Sequence, residues 1–469
     1  MIRIIGGGLA GSEAAWQAAQ LGVPVTLYEM RPVRGTSVHQ TDRLAELVCS
    51  NSFRGSQLEN AVGLLKEEMR RLGSLVIQVA DETRVPAGGA LAVDRVRFAQ
   101  RMTESLESHP LVTIRREEVT TIPDDADLQS PVIVATGPLT SDALSAEVVK
   151  FVGSEHLYFY DAISPIVLAE SIDRSKAFAA SRYGRDTDPS LANGGTACSS
   201  SPQGGDYLNC AMDARQYLDF HDAIVGAERV SLHEFDDTKF FEGCLPIEVM
   251  ASRGLDTLRF GPMKPVGLHD PATGRRPHAV VQLRQDDLAA ENYSLVGFQT
   301  QMKWGEQQRV LRMIPGLESA EFVRYGMIHR NTYINAPSVL APSWQVRDRP
   351  WVFFAGQISG VEGYVESAAS GLLAGRGAAA LSQGRTVPCP PRTTALGAIA
   401  HYVSHANPVN YQPTNIAFGL LPSLDTPPRK KRERRQALAQ RALADLTEWQ
   451  SHLPTEASTQ DETTARVVS

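Results

Sequence analysis

Two groups of residues have the types and spacing that chemistry needs. The first is Gly6-Gly7-Gly8-Leu9-Ala10-Gly11, a G-x-G-x-x-G run. Placed between a strand and a helix, Gly6 permits a tight turn, Gly8 lets the backbone approach a pyrophosphate, and Gly11 lets helix and strand pack closely. The helix start at Leu9 and Ala10 then offers free N–H groups and a positive dipole end to phosphate. Glu29 lies 18 residues beyond Gly11, where a carboxylate can accept both hydroxyls of a ribose. The second group is thiols. Cys49 sits in Leu47-Val48-Cys49-Ser50-Asn51-Ser52-Phe53-Arg54, amid small polar groups and a cation that would favour a nucleophilic sulfur. Cys244 occupies a Gly-Cys turn, Glu242-Gly243-Cys244-Leu245-Pro246. The commoner role of a free cysteine is that of a small buried hydrophobe, and the residues alone leave both readings open. Cys198 and Cys389 are given that ordinary role, and Cys210 is read as structural.

These residues need elements to hold them. Ile2 to Ile5 is an apolar run, Ala14, Ala15, Ala18, Ala19 and Leu21 recur at helical spacing, and Val23 to Tyr28 is a second strand. A strand-helix-strand unit this short predicts a parallel sheet. Helices are expected over 57–72 and 94–108, and Pro131-Val132-Ile133-Val134-Ala135-Thr136-Gly137 reads as a buried strand ending in a glycine. From about 151 the texture changes to short strand-like runs with many aromatics, and Trp351-Val352-Phe353-Phe354-Ala355-Gly356 restores the buried-strand pattern before a small-residue helix over 362–381. The expectation is an α/β fold: a doubly wound, Rossmann-like dinucleotide domain in two segments, 1–150 and 341–426, with a mixed α/β domain inserted over 151–340. Residues 184–205 read as a mobile surface loop, 427–469 as a basic helix followed by a disordered tail.

Two glycine-bearing strand ends favour FAD over NAD. At Gly137 and at Gly356-Gln357 the carboxyl edge of the sheet could touch a long cofactor twice more, and Gly360 belongs to the turn that leads into the small-residue helix. The N-terminus of that helix could face a flavin's pyrimidine edge, where the reduced ring carries negative charge. Glycines packing a helix onto a sheet would leave the same trace. Elsewhere, Lys303-Trp304 and Arg324-Tyr325 stand in segments that alternate basic and aromatic groups, a mixture suited to a flat heterocycle or a nucleic acid and equally to amphipathic strands. Arg429-Lys430-Lys431-Arg432-Glu433-Arg434-Arg435 has six cations in seven residues, either a foothold on RNA phosphates or a solvated helix face.

Composition narrows the class. The 469 residues carry 46 basic and 53 acidic side chains, a formal charge of −7, so an RNA partner would have to be met by a local basic patch. Apolar residues at 42% and charged residues at 21% exclude a disordered chain or a small disulfide-stapled module. Five dispersed cysteines without C-x-x-C, and histidines without ligand spacing, suggest no metal site. With no targeting signal and no long apolar stretch, the expectation is a cytoplasmic protein with reduced thiols and no membrane partner.

GGGLAGSEAAWQ, LVCSNSFR, EGCLPIEVMASRG, TLRFGPMKPVGL, RYGMIHRNTYIN and GQISGVEGYVESAASG occur in this order. Together they make the chain resemble the folate- and FAD-dependent tRNA (uracil-5-)-methyltransferase family over residues 1 to about 422. The related family that installs carboxymethylaminomethyl groups on tRNA shares the glycine run but lacks the two cysteine segments. The stretch over 185–205 is longer than the family pattern, so Cys198 is assigned no role. The resemblance implies that methylenetetrahydrofolate donates a one-carbon unit to carbon 5 of the T-loop uridine at tRNA position 54. It further implies that reduced FAD supplies a hydride and that NADH or NADPH re-reduces the flavin. Cys244 would add to carbon 6 of the uracil, and Cys49 would work beside the flavin. The alternatives are the anticodon modification or a small-molecule flavin oxidoreductase.

Overall fold

The computed structural model describes residues 1–36, 38–153, 157–184, 186, 205–230 and 245–453, without the side chains of 157–161 and 328–330. Most of the expected loop over 184–205, with Cys198, lies outside the described residues, and so do Cys244 and the expected disordered tail beyond 453.

The N-terminal apolar runs become the middle of a parallel sheet. β1 (Ile2–Ile5) and β2 (Val25–Glu29) pair in parallel, joined by α1 (Leu9–Gln20). The strand order is Gln345–Val346, Arg349–Phe354, Val132–Val134, β1, β2, Val112–Arg116, and only the first pair is antiparallel. Ile2, Ile4, Leu27, Val132, Ile133, Val134, Phe353 and Phe354 are buried, the near-continuous apolar pattern of a sheet covered on both faces. The expected return of the chain is realised in register, with Val352 opposite Val132 and Phe354 opposite Val134.

Three strands end together. Gly6 N–H donates to Tyr28 O (2.8 Å), Ala135 N–H to Ile5 O (2.8 Å) and Ala355 N–H to Val134 O (3.0 Å). Their glycine-bearing turns therefore leave one carboxyl edge, beside the point where the strand order reverses, which is where such sheets bind ligands. The helix Tyr364–Ser382 follows the last of these turns and lies directly against α1. A Cβ on Gly371 would stand 2.1 Å from Ala10 O, and one on Gly375 would stand 2.4 Å from Ala14 O. Small residues are thus a steric condition of this contact.

The middle of the chain builds a second body with its own core. Its six-stranded antiparallel sheet runs Ala177–Ala179, Tyr207–Met212, Ala279–Gln285, Asn292–Leu295, Ile166–Leu168, Phe322–Arg324, packed around Phe220, Val281, Leu283 and Phe298. An antiparallel ribbon, Leu157–Ala162 with Ile328–Tyr333, lies where the chain enters and leaves it. The two helices expected early in the chain are α2 (Ala61–Arg71) and Arg95–Glu107, the latter capped by Asp94 through Val96 N (3.1 Å) and Arg97 N (2.9 Å). Not anticipated were the helices Leu75–Glu82 and Ala395–His405 and a small sheet of β3 (Ser52–Gly55), Arg84–Val85 and Ala90–Val93. The basic run opens the helix Lys431–Ser451, where Arg432 pairs with Glu59 (3.2 Å) and Lys430 with Glu433 (3.1 Å). Cys210 is fully buried, as read; Cys389 is exposed, so the role of small buried hydrophobe fails for it, because the chain around it runs over the surface between two helices. No described helix is long and apolar enough to cross a membrane.

Two helix carboxyls are spent on architecture. Glu68 of α2 accepts from Ala395 N (2.7 Å) and Leu396 N (2.8 Å), capping the helix Ala395–His405. Glu13 of α1 accepts from Ser74 Oγ (2.8 Å), Val76 N (2.9 Å) and Gln17 Nε2 (2.9 Å). Burial pushes Glu68 up to about 8 and Glu13 up to about 7, more than these hydrogen bonds pull them down. A carboxyl raised on folding holds its proton in the native state where the unfolded chain has lost it. Its stabilisation is therefore complete below the ordinary carboxylate pKa and is lost as pH rises through 7 to 8. These two carboxyls should lower the melting temperature between pH 5 and pH 9, against the opposite contributions of Lys66 and His39, which burial pushes down to about 7 and about 4. Glu68→Gln should make the slope less negative; an unchanged slope in scanning calorimetry would refute the assignment.

Candidate functional site

The glycine run does what its spacing implies. Gly6 has φ +107°, and a Cβ there would meet Ala135 O at 2.5 Å. A Cβ on Gly8 would meet nothing within 4 Å, so the backbone at the start of α1 is open on its outer side. No side chain caps α1 and no acid stands in its first turn. Gly363, which begins the helix Tyr364–Ser382, is likewise without a side-chain cap. Two helix N-termini with free N–H groups therefore open side by side at the carboxyl edge of the sheet.

They border a cleft open to solvent. Gly6, Gly7, Gly8, Leu9, Ala10, Glu29, Gly137, Gly356 and Gln357 all line it. Gly11 and Gly360 do not: a Cβ on Gly11 would strike Gly6 O at 1.8 Å, and one on Gly360 would strike the Tyr411 hydroxyl at 2.4 Å. Both serve the packing behind the cleft. Glu29 Oε2 accepts from Gly7 N (3.0 Å), while Oε1 accepts from Arg31 N (3.0 Å) and Arg31 Nε (2.9 Å). Burial alone would raise this carboxyl, but the Arg31 guanidinium and the two backbone N–H groups outweigh it and hold Glu29 below its ordinary value. An anionic acceptor thus stands at one end of the cleft. His39, which also lines it, is pushed down to about 4 by burial and by Arg31, so it is neutral at pH 7.

Cys49, half-buried, does not itself line the cleft, but its neighbour Val48 and its partner Tyr364 do. Its Sγ lies 2.9 Å from the hydroxyl of Tyr364, the first residue of the uncapped helix, and that hydroxyl also accepts from Cys49 N (2.9 Å) and Ser50 N (3.1 Å). Burial and the neighbouring sulfur raise the Tyr364 hydroxyl well above its ordinary value, so it stays protonated. Arg95 and Arg324 lie within electrostatic range of the sulfur. The loop carrying Cys49 is tied on both sides. Arg284 of the second sheet donates to Asn51 Oδ1 (2.8 Å) and Ser50 Oγ (2.9 Å), and Asn51 donates to Gln285 O (3.0 Å). On the other side Arg54, at φ +62°, reaches Glu366 in the first turn of the helix. Buried Lys66 spends its three protons on the carbonyls of Phe53 (2.8 Å), Arg54 (3.2 Å) and Gly55 (2.8 Å), pinning that bend. The Cys49 loop is thus held between the second sheet and the helix Tyr364–Ser382, next to residues that line the cleft.

Cys49 and the glycine cleft are brought together, whereas Cys244 lies outside the described residues. Sequence reasoning missed Tyr364, Arg95, Arg284, Lys66 and Glu366, and it noted Arg324 only as part of a basic and aromatic segment, not as a neighbour of Cys49. Their only trace was that Tyr364 and Glu366 stand in the GQISGVEGYVESAASG segment and Arg324 opens RYGMIHRNTYIN.

The open backbone over Gly8, the two uncapped helix ends and the Glu29 acceptor fit a dinucleotide such as FAD, whose ribose Glu29 could hold and whose pyrophosphate the start of α1 could hold. The family model described as Glucose inhibited division protein A matches residues 1–386. The chain is 57% identical over 442 residues to the Methylenetetrahydrofolate--tRNA-(uracil-5-)-methyltransferase TrmFO of Enterococcus faecalis, covering 94% of this chain and 97% of that one. It is 58% identical over 447 residues to the protein of the same name from Desulforudis audaxviator, covering 95% and 97%. Among solved structures, Aquifex aeolicus GidA in its form II crystal superposes with a TM-score of 0.69 at 16% identity, over 99% of this chain and 76% of that one, a likeness of fold.

Proposed function

Because the chain belongs to the glucose-inhibited division protein A family, and within it to the methylenetetrahydrofolate--tRNA-(uracil-5-)-methyltransferases, we propose how its residues divide that reaction. The protein is a flavoprotein methyltransferase that transfers a one-carbon unit from methylenetetrahydrofolate to carbon 5 of a uridine in tRNA. In our reading the uridine is that of the T-loop at position 54, NADH or NADPH keeps the flavin reduced, and the enzyme works in the cytoplasm. Bound FAD, when reduced, supplies the hydride that turns a transferred methylene into a methyl group.

The rest falls to the chain. Glu29 and the start of α1 hold the dinucleotide; the N-terminus of Tyr364–Ser382, with Gly356 and Gln357 beside it, receives negative charge at the ring's pyrimidine edge. Carbon 5 of uracil is a poor nucleophile, and a thiolate added at carbon 6 makes it an enolate-like carbanion. We assign that addition to Cys244, whose sulfur is released when the bond to carbon 6 breaks. Cys49 holds or moves a proton beside the ring, positioned by the Tyr364 hydroxyl and by the cations Arg95 and Arg324. The observation carrying this reading is the 2.9 Å contact between the Cys49 sulfur and Tyr364, the residue that opens the helix at the cleft.

The reading is tested with a T-loop RNA, unlabelled methylenetetrahydrofolate and NADPH in heavy water, with mass analysis of the nucleosides. A hydride passing through exchangeable flavin nitrogen should give 5-methyluridine with one deuterium in the methyl group. A methyl free of deuterium would mean that the hydride came directly from the folate carbon, and that reading would fail.

A further inference from the structure

One aromatic feature is left unused by this reaction. On the second body Phe322, Tyr325 and Trp304 form a ladder. Phe322 stacks on Tyr325 at 5.2 Å and 20°, and Tyr325 on Trp304 at 5.6 Å and 17°. The inner ring packs against the core, while the outer ring, Trp304, is 63% exposed. What sets Trp304 apart from other exposed rings such as Phe260 is the nearly parallel stack behind it, which ends in solvent and presents a flat face of the kind on which unpaired bases stack.

The platform is built rigidly. Buried Gln307 accepts from Gly326 N (2.8 Å) and donates to Gly326 O (2.8 Å) and Met302 O (2.7 Å), fixing the backbone next to both outer rings. Gln308 donates to the Tyr325 hydroxyl. The loop over 299–304 is zipped to 228–230 by Val230 N to Gln301 O (2.9 Å) and Lys303 N to Glu228 O (3.0 Å), and to the start of the next helix by Ile247 N to Gln299 O (2.8 Å). The loop that leads into Trp304 is therefore tied to both described flanks of the segment that carries Cys244. Arg324, next to Tyr325 in sequence, lies within electrostatic range of Cys49. Trp304 and Tyr325 do not line the dinucleotide cleft, so whatever covers them arrives from outside. Beside the ring Lys303 is paired with the Glu228 carboxylate (2.8 Å), and Arg229 donates to the Val225 carbonyl (3.3 Å).

We propose that the open face of Trp304 stacks an unpaired base of the tRNA substrate, so that the ladder continues from protein into RNA. This rests on the reading of tRNA as substrate given above and adds where a base is gripped.

The probe is a T-arm stem-loop RNA presented to FAD-loaded enzyme. Trp304→Ala should raise the KM and Kd for this RNA roughly five- to a hundredfold, as loss of one stacked base does. kcat at saturating RNA, FAD content and the KM for methylenetetrahydrofolate should hold, and Trp304→Phe should recover most of the affinity. RNA should also quench the tryptophan fluorescence of the wild type more than that of Trp304→Phe. Unchanged RNA affinity in Trp304→Ala overturns the proposal. A raised KM for the folate with RNA affinity intact, or an altered oligomeric state by sedimentation with RNA affinity intact, overturns it by giving the ring another occupant. If the wild type fails to methylate the RNA at all, it is the substrate reading that falls.

Discussion

Cys244→Ala should remain folded and yellow and lose tRNA methylation by at least about a thousandfold, the scale on which enzymes lose rate when a covalent nucleophile is removed. The loss follows from the substrate: without addition at carbon 6, carbon 5 of the pyrimidine has no electron pair to offer the one-carbon unit. An RNA carrying 5-fluorouridine at the target position separates the two thiols. Fluorine cannot leave carbon 5 as a proton does, so the enzyme should remain bonded to carbon 6 in a complex that survives denaturing electrophoresis. Wild type and Cys49→Ala should form that complex and Cys244→Ala should not. If Cys49→Ala alone abolishes it, the roles given to the two cysteines are exchanged.

Gly371→Val should cost the protein its flavin. A Cβ at that position would stand 2.1 Å from the Ala10 carbonyl, with backbone on both sides and nothing flexible to yield. The two helices must separate, and with them the two N-termini that flank the cleft. Overpacking of this kind costs about 1–3 kcal/mol, enough to lower the melting temperature by several degrees. The larger effect is on the ligand, because in the proposed function both helix ends hold one molecule and a shift of roughly 1 Å would misplace them. The purified variant should be colourless, with the absorbance of oxidised flavin near zero, and added FAD should restore little of it. Yellow protein with a normal spectrum would show that the helix pair does not hold the ring.

The dinucleotide half of the site was legible because its requirements are local. Gly6, Gly8 and Gly11 meet steric demands within one turn, and Glu29 follows at the distance set by one helix and one strand. The return strand ending at Phe354 was legible for a similar reason, since a buried parallel strand is apolar throughout. Tyr364 left no such trace: a tyrosine opening a helix of small residues has no periodic partner, and its meaning lies in a contact with Cys49, 315 residues away. Lys66 and Glu68 fall in the helix expected over 57–72 with nothing to single them out, yet both are buried, because each satisfies backbone groups of another segment. Arg284 and Asn51 meet only because the second body folds back onto the cysteine loop, which residue types in series do not encode. Cys389 misled in the opposite sense, since its apolar character says nothing of the exposed chain on which it sits.

The pairing of Arg349–Phe354 with Val132–Val134 also fixes an order of events at the ribosome. The glycine turn at the start of the protein is synthesised first, but its companion at Gly356 follows 350 residues later. At about 5–20 residues per second that gap is roughly 20–70 s. During it the nascent chain holds half a nucleotide pocket and an incomplete parallel sheet whose next edge is open, while the intervening body can already collapse around its own core. A cofactor that needs both glycine turns can be captured only after Gly356 has been synthesised, so flavin supply acts on chains that have reached the return strand rather than on shorter ones.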